Sequence, residues 1–117
     1  MVFKNHSKSG FFNRFPYPSY PRVYVECKNY TDDIGPNEFN QITGRVATTK
    51  SHLGILVCRR NHNRTQVLGH CRDANRDERN VVIWLEDSDI IQLLSAPNPD
   101  TIDEILLARA DEVRPQE

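Results

Sequence analysis

The sequence lacks several features that mark whole classes of protein. It holds three cysteines and no Cys-x-x-Cys pair, which argues against a disulfide framework and a common zinc finger. It has no secretory signal or internal repeat, and no apolar stretch near the roughly 20 residues that a membrane-spanning helix needs. We therefore expect one domain of 117 residues, with reduced thiols, in the cytoplasm and without a membrane partner.

Acidic residues are missing from the start of the chain, since no Asp or Glu precedes Glu26. Residues 1–60 carry 9 Lys and Arg against 4 Asp and Glu, whereas residues 61–117 carry 6 against 12. The net charge of −1 thus hides a basic first half and an acidic second half. A basic surface suits a phosphate backbone, so the charge pattern favours a nucleic-acid partner for the first half.

Residues 23–29, Val-Tyr-Val-Glu-Cys-Lys-Asn, are β-branched and aromatic with two charges set two positions apart. In a strand, Tyr24, Glu26 and Lys28 share one face and alternate residues share the other. A carboxylate is a hard ligand for a divalent cation, and a nearby lysine can orient water or neutralise charge on a phosphate. Glu26 and Lys28 are therefore candidate catalytic residues, although Glu-x-Lys on a strand is also a common surface ion pair.

Residues 36–50 follow and have the spacing of a helix. Pro36 suits its first turn, and the apolar residues recur at intervals of three and four. Gln41 and Arg45 lie one turn apart on another face, from which both can turn toward the Glu26 strand. Gly44, which weakens a helix, is interpreted as a close-packing point.

Two short apolar runs, Leu53–Cys58 and Val81–Leu85, flank a helical pattern at residues 66–78. Buried strands separated by helices predict an α/β fold with a largely buried, partly parallel sheet. Arg59, Arg60, His62 and Arg64 follow the first of these strands, where ligands gather in open α/β sheets. They form either a DNA-backbone contact or a solvated loop, and the sequence leaves both open.

Five strings carry a resemblance to a known family. They are Glu26-Cys-Lys-Asn-Tyr30, Gln41-x-x-Gly-Arg45, Gly54-Ile-Leu-Val-Cys-Arg59, Cys71-Arg-Asp73 and Leu85-Glu-Asp-Ser-Asp-Ile90. Together with the order of elements, they resemble the PD-(D/E)xK nuclease superfamily in its restriction-endonuclease-like, Mrr-like branch, over about residues 1–95. The resemblance implies a mixed sheet flanked by helices, corresponding to the C-terminal portion of that fold. It also implies a DNA endonuclease that uses Mg²⁺ or Mn²⁺, often in defence against foreign DNA.

The resemblance also implies roles for individual residues. Glu26 and the backbone carbonyl of Cys27 would ligate the metal, Lys28 would assist the attacking water, and Gln41 would support the site. Arg45, Arg59, Arg60 and Arg64 are the candidate DNA contacts.

The chain departs from the family pattern at the second metal carboxylate, normally an Asp on the preceding strand. Residues 1–6 look like that strand, cut where the Asp is expected, so we expect a truncated chain, a misplaced start or a remnant. Asp32, Asp33 and Glu38 are possible substitutes, although turn formation and helix N-terminal charge are commoner uses of acids there. The alternative function is thus a catalytically inactive, nuclease-derived DNA-binding module.

Two segments flank the proposed core. Residues 10–21 are rich in aromatics and proline, which predicts an extended or turning connector whose rings cover the sheet. Residues 96–117 predict a capped amphipathic helix beyond the region of resemblance. This helix either closes the sheet or joins a homodimer or partner chain.

Overall fold

A mixed four-stranded sheet organises the computed structural model, which describes residues 1–16, 20–29, 31–76 and 80–114. Within those residues the strands are β1 (Val2–Lys4), β2 (Arg22–Lys28), β3 (Leu53–Cys58) and β4 (Val81–Leu85). They lie side by side in chain order. Strand β1 is antiparallel to β2, while β2, β3 and β4 are parallel. The predicted α/β class and mixed sheet are confirmed, while the restriction-endonuclease-like assignment stays a prediction.

Helices make the connections between the strands. The described helices are α1 (Phe11–Arg14), α2 (Pro36–Thr49), α3 (Arg64–Ala74), α4 (Asp87–Ser95) and α5 (Pro99–Val113). Helix α2 joins β2 to β3 and α3 joins β3 to β4, and the two helices contact each other. The helix predicted at 66–78 begins earlier because the Asn63 side chain caps it, accepting from the Gln66 amide at 3.2 Å. It ends at Ala74, and residues 77 and 78 lie outside the described residues.

Helix α2 lies on one face of the sheet and packs closely against β3. Its buried stripe consists of Phe39, Ile42 and Val46, as the periodicity predicted. A Cβ on Gly54 of β3 would stand 2.5 Å from Val46 Cγ2, so only glycine allows the helix this near the strand. The prediction for Gly44 was wrong, because it is exposed with nothing within 4 Å of its Cβ position.

The aromatic segment after β1 contains a short helix that the sequence did not predict. Phe11 and Phe15 are buried and stack with ring centroids 5.0 Å apart. The Phe11 amide donates to Asp103 Oδ1 at 3.0 Å, so a carboxylate from α5 satisfies the start of α1. The burial of Phe11 and Phe15 in the core agrees with the expectation that rings of this segment cover the sheet, while residues 17–19 lie outside the described part of the chain.

Helix α5 belongs to the same core as the sheet. It contacts β4, α1, α3 and α4, and Leu106, Ala110 and Val113 are buried on its inner side. Of the two alternatives for the tail, the structure therefore shows packing onto the fold, and a homodimer stays a prediction. No helix in the described ranges is long and apolar enough to cross a membrane.

Candidate functional site

Strand β2 places Glu26 and Lys28 on the face that its period predicted, beneath α2. Lys28 Nζ lies 3.8 Å from Glu26 Oε2, and the two side chains are only 16% and 12% exposed. The Tyr24 hydroxyl donates to Glu26 Oε1 at 3.3 Å. Glu26 Oε2 is buried and is without a hydrogen-bond partner among the described atoms. The pair is therefore a partly closed site and not an ordinary surface ion pair.

Helix α2 supplies a second cation to this site. Arg45 Nη1 pairs with Glu26 Oε1, so the predicted turn of Arg45 toward the strand is confirmed. Gln41 is exposed one helical turn before Arg45, on the same helix face. Cys27 has its side chain exposed, and the alternation of the strand points it to the opposite face from Glu26. Tyr30, from the same string, lies outside the described residues.

The three substitute carboxylates gather at one cleft, where two of them, Asp33 and Glu38, accept hydrogen bonds from backbone amides. Asp32, Asp33 and Glu38 line a cleft of about 430 Å³ with Asn29 and Thr31, and Glu26 is not part of its lining. Glu38 accepts from the Gly35 amide at 3.1 Å and so caps the start of α2. Asp32 is exposed. Among the described residues, no three or more His, Cys, Asp and Glu side chains are grouped as a metal site requires.

Asp33 holds the loop that follows β3. Its two carboxylate oxygens accept from the His62 amide at 2.6 Å and the Asn63 amide at 2.7 Å. These two hydrogen bonds, that of Asn63 first, hold the pKa of Asp33 below its ordinary value of 3.8. Asp33 is therefore an ionised anchor between two loops at the carboxyl ends of the parallel strands.

Two of the four arginines predicted to contact DNA lie in an open cleft at this edge. Arg59 and Arg60 are exposed and line a cleft of about 180 Å³ together with Thr31 and His62. In the register of β2 and β3, Cys58 stands beside Lys28, so Arg59 follows directly after the position next to Lys28. The basic cleft and the Glu26–Lys28 pair therefore share one edge of the sheet.

Arg64 lies instead within a network of ion pairs. Its Nη1 is 3.3 Å from Glu86 Oε2, and its Nη2 is 2.7 Å from Glu112 Oε1. Arg109 pairs with Asp89 at 2.6 Å and with Glu112 at 2.9 Å. Both guanidinium groups lie over the Trp84 ring, at 5.4 Å and 5.2 Å from its centroid. Arg64 therefore connects α3 with β4 and α5, and its positive charge is paired with the carboxylates of Glu86 and Glu112.

Asn61 and Glu86 are site residues that the sequence did not indicate. The Asn61 side-chain oxygen accepts from the Ile34 amide at 2.9 Å, and the Asn61 backbone amide donates to Glu86 Oε1 at 2.6 Å. Asn61 looks like an ordinary turn residue in the sequence, because its partners are 27 and 25 positions away. Glu86 had one local signal, which was its position three residues before Asp89 in the pattern of a helix capping box. At the start of α4, Asp89 Oδ2 accepts from the Glu86 amide at 2.9 Å.

Comparisons of the chain with protein-family models, with curated proteins and with solved structures return no match. The resemblance to the PD-(D/E)xK superfamily therefore stays a prediction that rests on the sequence motifs. The roles of the residues at this edge follow from their geometry and chemistry alone.

Proposed function

We propose that this edge of the sheet carries one half of a metal-dependent DNA endonuclease site, with Glu26 as a metal carboxylate and Lys28 beside it. The observation that carries the proposal is Glu26 Oε2, a buried carboxylate oxygen without a hydrogen-bond partner among the described atoms. Lys28 Nζ stands 3.8 Å from this oxygen, which is beyond hydrogen-bond distance, so the oxygen is near a cation but accepts no hydrogen bond. A buried carboxylate oxygen without a donor is costly, and a hard cation is a ligand that it suits. Bound Mg²⁺ or Mn²⁺ would activate water and offset charge on the phosphate.

The described residues fit such a metal in part. Glu26 supplies one carboxylate, and Lys28 Nζ, 3.8 Å from it, is placed to offset charge on a phosphate oxygen. Asp33 and Glu38 accept hydrogen bonds from backbone amides. Neither of them therefore serves as the second carboxylate for a metal ion bound at Glu26. The described residues alone therefore do not supply both metal carboxylates that hydrolysis would require.

The pairing of β1 with β2 supports one position for a second carboxylate in the proposed site. The Met1 nitrogen donates to the Val25 carbonyl at 2.9 Å, and the Val25 amide donates to the Met1 carbonyl at 2.7 Å. A residue attached ahead of Met1 would then lie opposite Glu26 in a non-hydrogen-bonded pair, with Cα atoms roughly 4.5 Å apart. Opposite residues share a face of the sheet, so an Asp there would point to the side of Glu26.

This geometry gives a direct test. An Asp attached ahead of Met1 is compared with an Asn attached at the same position, by calorimetric titration with Mn²⁺ and by cleavage of supercoiled plasmid. We expect at least tenfold tighter Mn²⁺ binding with Asp, because the second carboxylate adds charge to the site. Any cleavage should disappear on Lys28→Ala. Equal Mn²⁺ affinity in the Asp and Asn forms would count against Glu26 as a metal carboxylate.

A specific observation favours a second candidate, DNA binding without hydrolysis. Arg45 and Lys28 both pair with Glu26, so two cations surround one carboxylate. That local excess of positive charge repels a metal ion and attracts a phosphate. Fluorescence anisotropy with labelled duplex DNA in EDTA separates the candidates. Tight binding in EDTA, with no cleavage even by the Asp-extended form, would establish the second function over the first.

A further inference from the structure

The cleft lined by Thr31, Arg59, Arg60 and His62 has the chemistry of an anion site. Arginine presents a planar fork of N–H donors that matches phosphate oxygens, and imidazole and hydroxyl groups add single donors. Its volume of about 180 Å³ is small, which suits one anionic group more than a whole nucleotide. The two arginines are exposed, so their charges face solvent at this position.

The loop that carries these cations is fixed by contacts with its neighbours. Asn61 and Asp33 connect it to the β2–α2 loop, through the amides of Ile34, His62 and Asn63. The Asp87 amide donates to the Arg59 carbonyl at 3.0 Å and connects it to the start of α4. A ligand therefore meets a loop that is already ordered, and binding avoids part of the entropic cost of ordering it.

The loop that lines the cleft begins directly after the register partner of Lys28. Lys28 and Cys58 are register partners on neighbouring strands, which are separated by roughly 4.8 Å, and Arg59 is the next residue. Thr31, three residues after Lys28, completes the lining from the other loop. A chain of phosphates that contacts Lys28 can thus extend into the cleft without leaving the edge of the sheet.

We propose that this cleft is a phosphate subsite that holds one phosphate group of a nucleic-acid strand next to the phosphate held at Lys28. The proposal rests on the proposed action on DNA, in either of its two forms. Arg59 and Arg60 bind the phosphate oxygens, and Asp33 acts as a positioning residue through the amides of residues 62 and 63. The subsite sets the register of the strand relative to Glu26.

Negative charge near the cleft limits its affinity for a lone anion. Asp32 and Glu38 line the adjacent acidic cleft, which shares Thr31 with the basic one. Asp33 directs its oxygens to backbone amides of the same loop. We therefore expect inorganic phosphate alone to bind weakly, in the millimolar range, and a strand that also contacts Lys28 to bind more tightly.

The test replaces both arginines, Arg59→Gln with Arg60→Gln and also each one singly, and uses Arg76→Gln as the matched control for the single variants. Arg76 is an exposed arginine in a surface pair with Asp73, two residues after the end of α3. Anisotropy of labelled single-stranded and duplex DNA is measured over a range of salt. We expect the double variant to bind at least tenfold more weakly, and its log–log salt slope to fall by about 0.7–0.9 for each phosphate that it no longer neutralises. The control should bind like the parent chain.

A second measurement identifies the source of the phosphate. Amide chemical shifts of the whole chain are followed by NMR during titration with inorganic phosphate, and then with a short oligonucleotide. We expect both to shift residues 31 and 59–62, and the oligonucleotide also to shift Lys28. Circular dichroism confirms that the variants are folded.

The outcomes separate this inference from the proposed function. DNA binding that is unchanged in the double variant would overturn the subsite and leave the action on DNA standing. Phosphate shifts at the cleft without any DNA binding by the parent chain would assign the cleft to a free phosphate or small phosphate ester, which overturns the nucleic-acid role. No phosphate shift and no effect of the double variant would overturn the anion site altogether.

Discussion

Asp33 illustrates how one residue at the edge of the sheet acts on stability. Its folded-state pKa lies below the ordinary value of 3.8, so the ionised form stabilises the fold above that value. This contribution is lost as pH falls through the lower, folded-state pKa. We predict that Asp33→Asn lowers the free energy of unfolding at pH 7 and that the difference from the parent chain shrinks below about pH 3.8. Urea unfolding of both proteins at pH 7, 4 and 3 measures this difference in the free energy of unfolding.

The neighbouring acid provides the control for that prediction. Asp32 is exposed, so Asp32→Asn should leave the free energy of unfolding nearly unchanged at each pH. If the two variants match the parent chain at every pH, the Asp33 hydrogen bonds do not stabilise the loop.

Single residues differ in how far the sequence reveals their roles. The shared face of Glu26 and Lys28 follows from the period of a strand, and the approach of Arg45 follows from its position on α2. The role of Asp33 could not be read in this way, because its amide partners are 29 and 30 positions away. Local patterns therefore placed the Glu26–Lys28 pair, but not the contacts that hold the loops beside it.

At the scale of elements, Gly54 controls how closely α2 approaches β3. A methyl group there would stand 2.5 Å from Val46 Cγ2 and 3.4 Å from Ile42. We predict that Gly54→Ala lowers the free energy of unfolding by about 1–3 kcal/mol through overpacking. Adding Val46→Ala should recover part of that loss, which denaturant unfolding of the single and double variants measures.

Gly44 in α2 gives the opposite expectation from the same substitution. Nothing lies within 4 Å of its Cβ position, so Gly44→Ala adds helix propensity without a clash. We expect it to stabilise the protein by about 0.5–1 kcal/mol. A destabilising Gly44→Ala together with a neutral Gly54→Ala would contradict the packing described for both glycines.

The sequence predicted the buried elements best. The bounds of β3 and β4 agree with their apolar runs, and α2 begins at Pro36 as predicted. Helix α1 could not be predicted, because its four residues lie in a proline-rich segment and its first amide is satisfied by Asp103, 92 positions away. A short helix that depends on such a distant partner leaves no local pattern in the sequence.

At the scale of the whole molecule, the contacts of α5 extend the fold beyond residues 1–95, the region of resemblance. Asn75 donates to the Val82 carbonyl at 2.7 Å and to the Val113 carbonyl at 3.3 Å, which connects α3, β4 and α5. Arg109 and Glu112 add ion pairs to Asp89 and Arg64. Because these contacts cross the predicted boundary at residue 96, we treat the sheet and α5 as one cooperative unit.

Adjacent leucines on α5 test that cooperative unit. Leu106 is 3% exposed, whereas Leu107 is 39% exposed. We predict that Leu106→Ala lowers the free energy of unfolding by about 2–5 kcal/mol and that Leu107→Ala changes it by less than about 1 kcal/mol.

Urea unfolding is followed by circular dichroism and by the fluorescence of Trp84, the single tryptophan of the chain, which lies in β4. The two signals should shift together in Leu106→Ala, because α5 and β4 unfold in one transition. A loss of helix signal that leaves the Trp84 transition unchanged would show that α5 folds independently of the sheet.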